Sequence, residues 1–185
     1  MTERDLILLI ADACGGSIPG RTIAQKLVYF CGVKLGVETG HDAHYFGPFS
    51  DTVESALKLN VIAGDLSETS EIIPDWYGGP DAQKYTYSLT ADGAKRAAEL
   101  KESETVDSAI IAETIARVHE VLPDFRQKTL SAAAKVHLIV TRADDSVSFA
   151  QVSELAESLG WKLGVNDIEK TRSVLERLDL VTFEV

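Results

Sequence analysis

The hydrophobic repeat changes period twice within the first hundred or so residues, and few folds accommodate that order. Apolar residues recur at helical spacing through residues 4 to 14, 22 to 36 and 50 to 63, alternate at strand spacing from residue 66, and return to helical spacing near residue 90. Gly15-Gly16-Ser17 and Pro19-Gly20 separate the first two helices, and Gly36 ends the second. His41 to Phe46 predicts a short extended piece before a Gly47-Pro48 turn. Pro48 holds its predecessor out of the helical region, and Ser50 or Asp51 supplies the next cap, Asp51-x-x-Glu54 having capping-box form. Leu66 to Ile73 and Lys84 to Leu89 predict a hairpin with a long tip, and Thr90 or Asp92 opens a fourth helix. Three helices, a two-stranded hairpin and a further helix form the element list of a winged helix-turn-helix.

The expected fold class is therefore mainly α (α+β): a winged helix-turn-helix domain with a two-stranded wing over residues 1–103, followed by a helical, HTH-like C-terminal domain over 104–185. Val106 to Leu122 predicts a fifth helix stopped by Pro123, and residues 127 to 142 a sixth. Two shorter helices follow, the second capped by Asn166 or Asp167, and Leu180 to Val185 is expected as a terminal strand. The fifth helix carries a broad apolar stripe, so Ile111, Ile115 and Val118 are expected to form a homodimer interface.

Three segments carry a family resemblance: Gln25-Lys26-Leu27-Val28-Tyr29-Phe30, His44-Tyr45-Phe46-Gly47-Pro48-Phe49-Ser50, and Tyr87-Ser88-Leu89-Thr90-Ala91-Asp92-Gly93. Over residues 5 to 103 the chain resembles the prokaryotic YwgA-like winged-helix proteins and, more distantly, the antitoxin-associated Panacea domains. The resemblance implies a non-enzymatic winged-helix protein, expected first as a transcriptional regulator, with a protein-interaction adaptor or antitoxin-like module that does not bind DNA as the alternative. The residues themselves give a structural reading as well: the aromatics around Gly47-Pro48 are expected to pack the hairpin onto the second and third helices.

Charge restricts the partners. The net charge is −11, with nine basic against fifteen acidic residues up to Ser103 and nine against fourteen beyond it. Neither half is basic. The expected recognition helix carries Asp51 and Glu54 against Lys58, and the wing has Asp65, Glu68, Glu71, Asp75 and Asp81 against Lys84 alone, which disfavours DNA as a partner. Positive charge collects in two acid-free windows. One holds Arg21, Lys26 and Lys34; the other holds Lys128, Lys135 and Arg142, spaced by seven as a stripe on one helix face. These six are the expected contacts to nucleic acid or to an acidic partner. Trp76 and Tyr77, on the hairpin tip, are the expected anchors for a protein partner.

Other chemistries find no support in the sequence. It lacks a GxSxG elbow, a GxxxxGK[ST] loop and a GxGxxG, and no nucleophile stands beside a base, so an enzyme is not expected. No metal or cofactor is implied, since His41 and His44 lack a third ligand nearby. His137 lies among apolar residues and is expected to be packed. Cys14 and Cys31 read as free buried thiols. The longest apolar run, Leu6 to Ala11, is far short of the ~20 residues that span a bilayer, and the first residues are unlike a secretory leader. A cytoplasmic protein with no membrane contact is expected.

Overall fold

In the computed structural model, residues 1–73, 82–143 and 148–181 are described. They form eight helices and three strands: α1 (Glu3–Ala13), β1 (Ser17–Ile18), α2 (Arg21–Leu35), α3 (Asp51–Ile62), β2 (Leu66–Ile73), β3 (Ala82–Leu89), α4 (Ala91–Ser103), α5 (Thr105–Val121), α6 (Gln127–Arg142), α7 (Phe149–Ser158) and α8 (Val165–Arg177). The chain is mainly helical with a small antiparallel sheet.

Local chemistry fixes the helix ends. Thr2 and Asp5 form a reciprocal capping box at α1, and Ser148 with Gln151 does the same at α7. At α3 the cap is Ser50, whose hydroxyl accepts from the Val53 amide, so Asp51 is already the first helical residue. α8 follows Gly164 without a side-chain cap, in place of the expected Asn166 or Asp167.

The sheet has three strands rather than two. Ser17 and Ile18, read in the sequence as part of a turn, pair with Ser88 and Tyr87, giving the order β1-β3-β2. Two residues are too few to show an alternating pattern, yet Ile18 is wholly buried. β2 and β3 run in register from Leu66 opposite Leu89 to Ile73 opposite Ala82. The expected hairpin tip with Trp76 and Tyr77, residues 144–147 and most of the expected terminal strand lie outside the described residues.

Every residue of α1 from Leu6 to Ala11 is buried, because α2, α3, α4 and α5 surround it. α6 packs on α2, and α8 packs on α5 and α6. One buried cluster therefore runs from Leu6 to Leu178 across the boundary drawn at residue 103. This corrects the reading of α5 as a dimer surface. Ile111, Ile115 and Val118 are at most 2% exposed, turned into the core of their own chain. Their wide apolar stripe lies on a helix that packs against α1, α2, α4 and α8 of the same molecule, which a periodicity count cannot tell from a second subunit.

The Leu89-Thr90-x-x-Gly93 step ties α3, the sheet and α4 together. The Thr90 hydroxyl accepts from the Gly93 amide and donates to the Gly64 carbonyl, while the Thr90 amide donates to the Asp65 carbonyl. A Cβ on Gly93 would overlap that Asp65 carbonyl oxygen. The Asp65 carboxylate in turn accepts from Arg4 and Arg96, and Arg96 also reaches Asp5.

Candidate functional site

The two remaining family-like segments hold each other. Gln25 on α2 donates its amide N–H to the Ser50 carbonyl and accepts from the Ser50 amide, both at 3.0 Å. From the next residue, Lys26, Nζ donates to the Pro48 carbonyl at 2.5 Å. His41 Nε2 lies 3.1 Å from the Gln25 carbonyl, which can only accept. The neutral ring therefore carries its proton there and accepts on Nδ1 from the Thr39 hydroxyl at 2.7 Å. Tyr29 meets His137 Nδ1 on α6 at 2.7 Å through its hydroxyl.

The far side of the loop is held as firmly. Trp161 Nε1 donates to the His44 carbonyl at 2.7 Å, the Asp42 and Phe49 backbones exchange two hydrogen bonds, and Arg142 reaches Asp42 at 2.8 Å. Gly47 adopts φ +99°, a left-handed conformation, with the Lys135 stem laid against it.

What this anchored loop presents departs from the sequence expectation. Tyr45 is 73% exposed and Phe46 54% exposed, their rings edge-on at 4.9 Å. They do not pack the hairpin onto α2 and α3. Gly47 and Pro48 are buried, Gly47 against Ser131 and Lys135 of α6, and the aromatics before them turn outward.

Beside Phe46 lies a cleft of about 400 Å³ lined by Ser131, Lys128, Lys135, Lys162 and Asp167. Its cations outnumber its one carboxylate, which stands 3.8 Å from Lys128. Lys135 Nζ sits 5.2 Å over the Trp161 ring. Burial lowers the Lys135 pKa, and burial together with the nearby Lys135 charge pulls Lys26 down to about 7.

The six basic residues picked out in the sequence thus meet different fates. Lys26 is 1% exposed and anchors the loop from inside, so it is no surface contact. Arg21 donates to the Tyr87 hydroxyl at 2.9 Å, lies over the Tyr85 ring and pairs with Glu68 at 3.6 Å. Lys34 Nζ donates to the Leu178 carbonyl at 2.8 Å beyond the end of α8. Arg142 is turned to Asp42. Only Lys128 and Lys135 share a site, and the third cation there, Lys162, escaped the sequence reading because it lies between helices where no periodicity marks it.

A second cavity, of about 490 Å³, opens between α2 and α6 around Tyr29, His41 and His137. Burial holds both histidines down at about 4, so they are neutral at pH 7. Among the described residues no group of three or more His, Cys, Asp or Glu side chains could hold a metal ion, and no helix is long and apolar enough to cross a membrane. Cys31 is buried, which raises its thiol pKa, and Cys14 is partly buried. Compared with protein-family models and with the curated proteins, the chain matches none.

Proposed function

We propose that this chain is a non-enzymatic protein-interaction module on a winged helix-turn-helix scaffold, meeting its partner through Tyr45 and Phe46. One observation carries the reading: two exposed aromatics stand on a loop held rigid by Gln25, Lys26, Arg142 and Trp161. Rigid aromatics beside a charged rim are the usual anchors of protein recognition, since little conformational freedom is lost when they dock. The adaptor side of the resemblance to YwgA-like and Panacea proteins agrees with it.

A transcriptional regulator is the second reading, favoured by the order α1-β1-α2-α3-β2-β3 and the sheet order β1-β3-β2. Charge weighs against it. The exposed face of α3 offers Asp51, Thr52, Ser55, Lys58, Leu59 and Ile62, and its single cation pairs with Glu54 at 2.7 Å. On the hairpin Lys84 pairs with Glu71 at 3.0 Å. A surface already neutralised by its own carboxylates releases few counterions from DNA.

The two readings separate in a salt series with random genomic DNA fragments, followed by fluorescence anisotropy. The interaction reading predicts no binding even at low salt. Binding that weakens with log salt, at a slope equivalent to several phosphates, replaces it with the regulator reading.

A further inference from the structure

We infer that the cleft between the 41–49 loop, α6 and the 161–164 segment is a binding site for an organic anion, a carboxylate or phosphate group carried on an apolar body. This stands apart from the choice between a protein and a DNA partner. Three observations converge on it.

The first is uncompensated charge. In a chain of net charge −11, Lys128, Lys135 and Lys162 line one concavity, and Asp167 is the sole carboxylate lining it. Among the described residues, neither Lys135 nor Lys162 pairs with any carboxylate, whereas Lys58, Lys84, Lys101, Arg96 and Arg117 all do. The second is preorganisation. Lys135 is half-buried, its stem fixed against Gly47 and its ammonium placed over Trp161, which the His44 carbonyl holds in turn. Lys26 Nζ is bonded to the carbonyl of Pro48, the neighbour of the Gly47 against which the Lys135 stem lies, and the two ammonium charges oppose one another. An anion between Lys135 and Lys162 relieves that repulsion, and charge-assisted hydrogen bonds to it are stronger than neutral ones.

The third is the shape and lining of the cleft. At about 400 Å³ it falls within the size range of small-molecule sites. Phe46 forms one apolar wall, and the buried side chains Ala132 and Leu163 form a floor. An inorganic ion would use the lysines and leave these apolar surfaces uncovered. A flat or branched apolar body attached to the anion covers them.

The same chemistry can arrive on a free small molecule or on an acidic segment of a protein partner, so the test has an arm for each. The ¹⁵N-labelled protein is titrated with phenylphosphate, with inorganic phosphate and with the acetylated peptide Glu-Phe-Glu-Glu. The Trp161 indole N–H and the amides of residues 131, 135 and 162 are followed, a Trp76→Phe variant assigning the indole. Expected are saturable shifts with phenylphosphate at those positions, binding about tenfold weaker for inorganic phosphate, and a loss of about tenfold or more in Lys135→Met. Methionine keeps the packing of the Lys135 stem, and Lys162→Met gives a second variant at an exposed position. Lys95→Met, remote on α4, leaves the titration unchanged. Tighter binding of the peptide assigns the anion to a protein partner, and tighter binding of phenylphosphate to a free small molecule. Absence of saturable shifts with all three probes overturns the inference. So do shifts that survive both Lys135→Met and Lys162→Met.

Discussion

Two faces of the molecule treat charge in opposite ways. On the face of α3 and the β2–β3 hairpin, cations are matched by carboxylates from the same surface: Lys58 by Glu54, Lys84 by Glu71 and Arg21 by Glu68. On the face of the 41–49 loop and α6, three lysines share one carboxylate, and two aromatics stand exposed. The first face is internally balanced and has little free charge to offer DNA. The second pairs Arg142 with Asp42 but leaves Lys135 and Lys162 without a carboxylate among the described residues, beside exposed Tyr45 and Phe46. The element order α1-β1-α2-α3-β2-β3 alone draws attention to the first face, whereas the proposed interaction uses the second.

The largest expected effect tests how rigidly the first face is fixed from behind. Gly93→Ala sets a Cβ against the Asp65 backbone, and should destabilise the fold by about 3 kcal/mol in urea unfolding. A loss below about 1 kcal/mol would mean that the junction of α3, sheet and α4 yields easily.

The inner side of the second face is sensitive to pH. Burial depresses His137 from 6.5 to about 4, so between these values the unfolded chain binds protons that the folded chain refuses. Stability is full above pH 6.5 and falls as the pH drops toward 4, by about 3 kcal/mol for this one group. His137→Gln, which leaves the Tyr29 hydroxyl a partner, should remove about half of the slope seen in thermal melts taken at a series of pH values, the remainder coming from His41, which burial depresses to the same value. Lys26 acts in a higher window. Its folded pKa of about 7 lies below the ordinary 10.5, so stability rises with pH between them, at up to about 1.4 kcal/mol per pH unit. Lys26→Met should abolish that rise, and a slope left intact would show that Lys26 is solvated rather than buried.

Much of the fold is legible in the sequence because helix periodicity and turn residues act locally. The helices, the hairpin and the buried His137 all follow from apolar spacing and from Gly, Pro and Thr at the joints. What escapes is set by contacts distant in sequence. Ile18 joins the sheet through a two-residue pairing with Tyr87, and the stripe of Ile111, Ile115 and Val118 is buried in the core of its own chain, where α5 packs on α1, α2, α4 and α8. The site is less legible still. Lys26 and Lys135 carry the same side chain in equally acid-free windows, yet one anchors a carbonyl inside and the other faces a cleft. Only the path of the 41–49 loop decides between them. The same holds for Phe46 and Phe49, three residues apart in one aromatic segment, of which the former is exposed and the latter partly covered.

The smallest effects on stability sharpen the comparison most. Tyr45→Ala should shift stability by no more than about 0.5 kcal/mol, because little of its ring is withdrawn from water, and Phe46→Ala by about 1 kcal/mol, because nearly half of that residue is covered. Lys58→Ala and Lys84→Ala should do as little, since exposed ion pairs contribute about 0.2–1 kcal/mol at most. The four variants then part company in partner binding, which the two aromatic replacements abolish and the two lysine replacements leave intact.

The most direct test of the central claim is site-specific photo-crosslinking in cells producing the protein, with a benzoylphenylalanine placed at position 46 on the loop or at position 62 on α3. The account predicts a discrete protein adduct from position 46, lost when Tyr45→Ala is added, and none from position 62. An adduct from position 62 alone, or DNA crosslinked there, would contradict it and return the function to the α3–hairpin face.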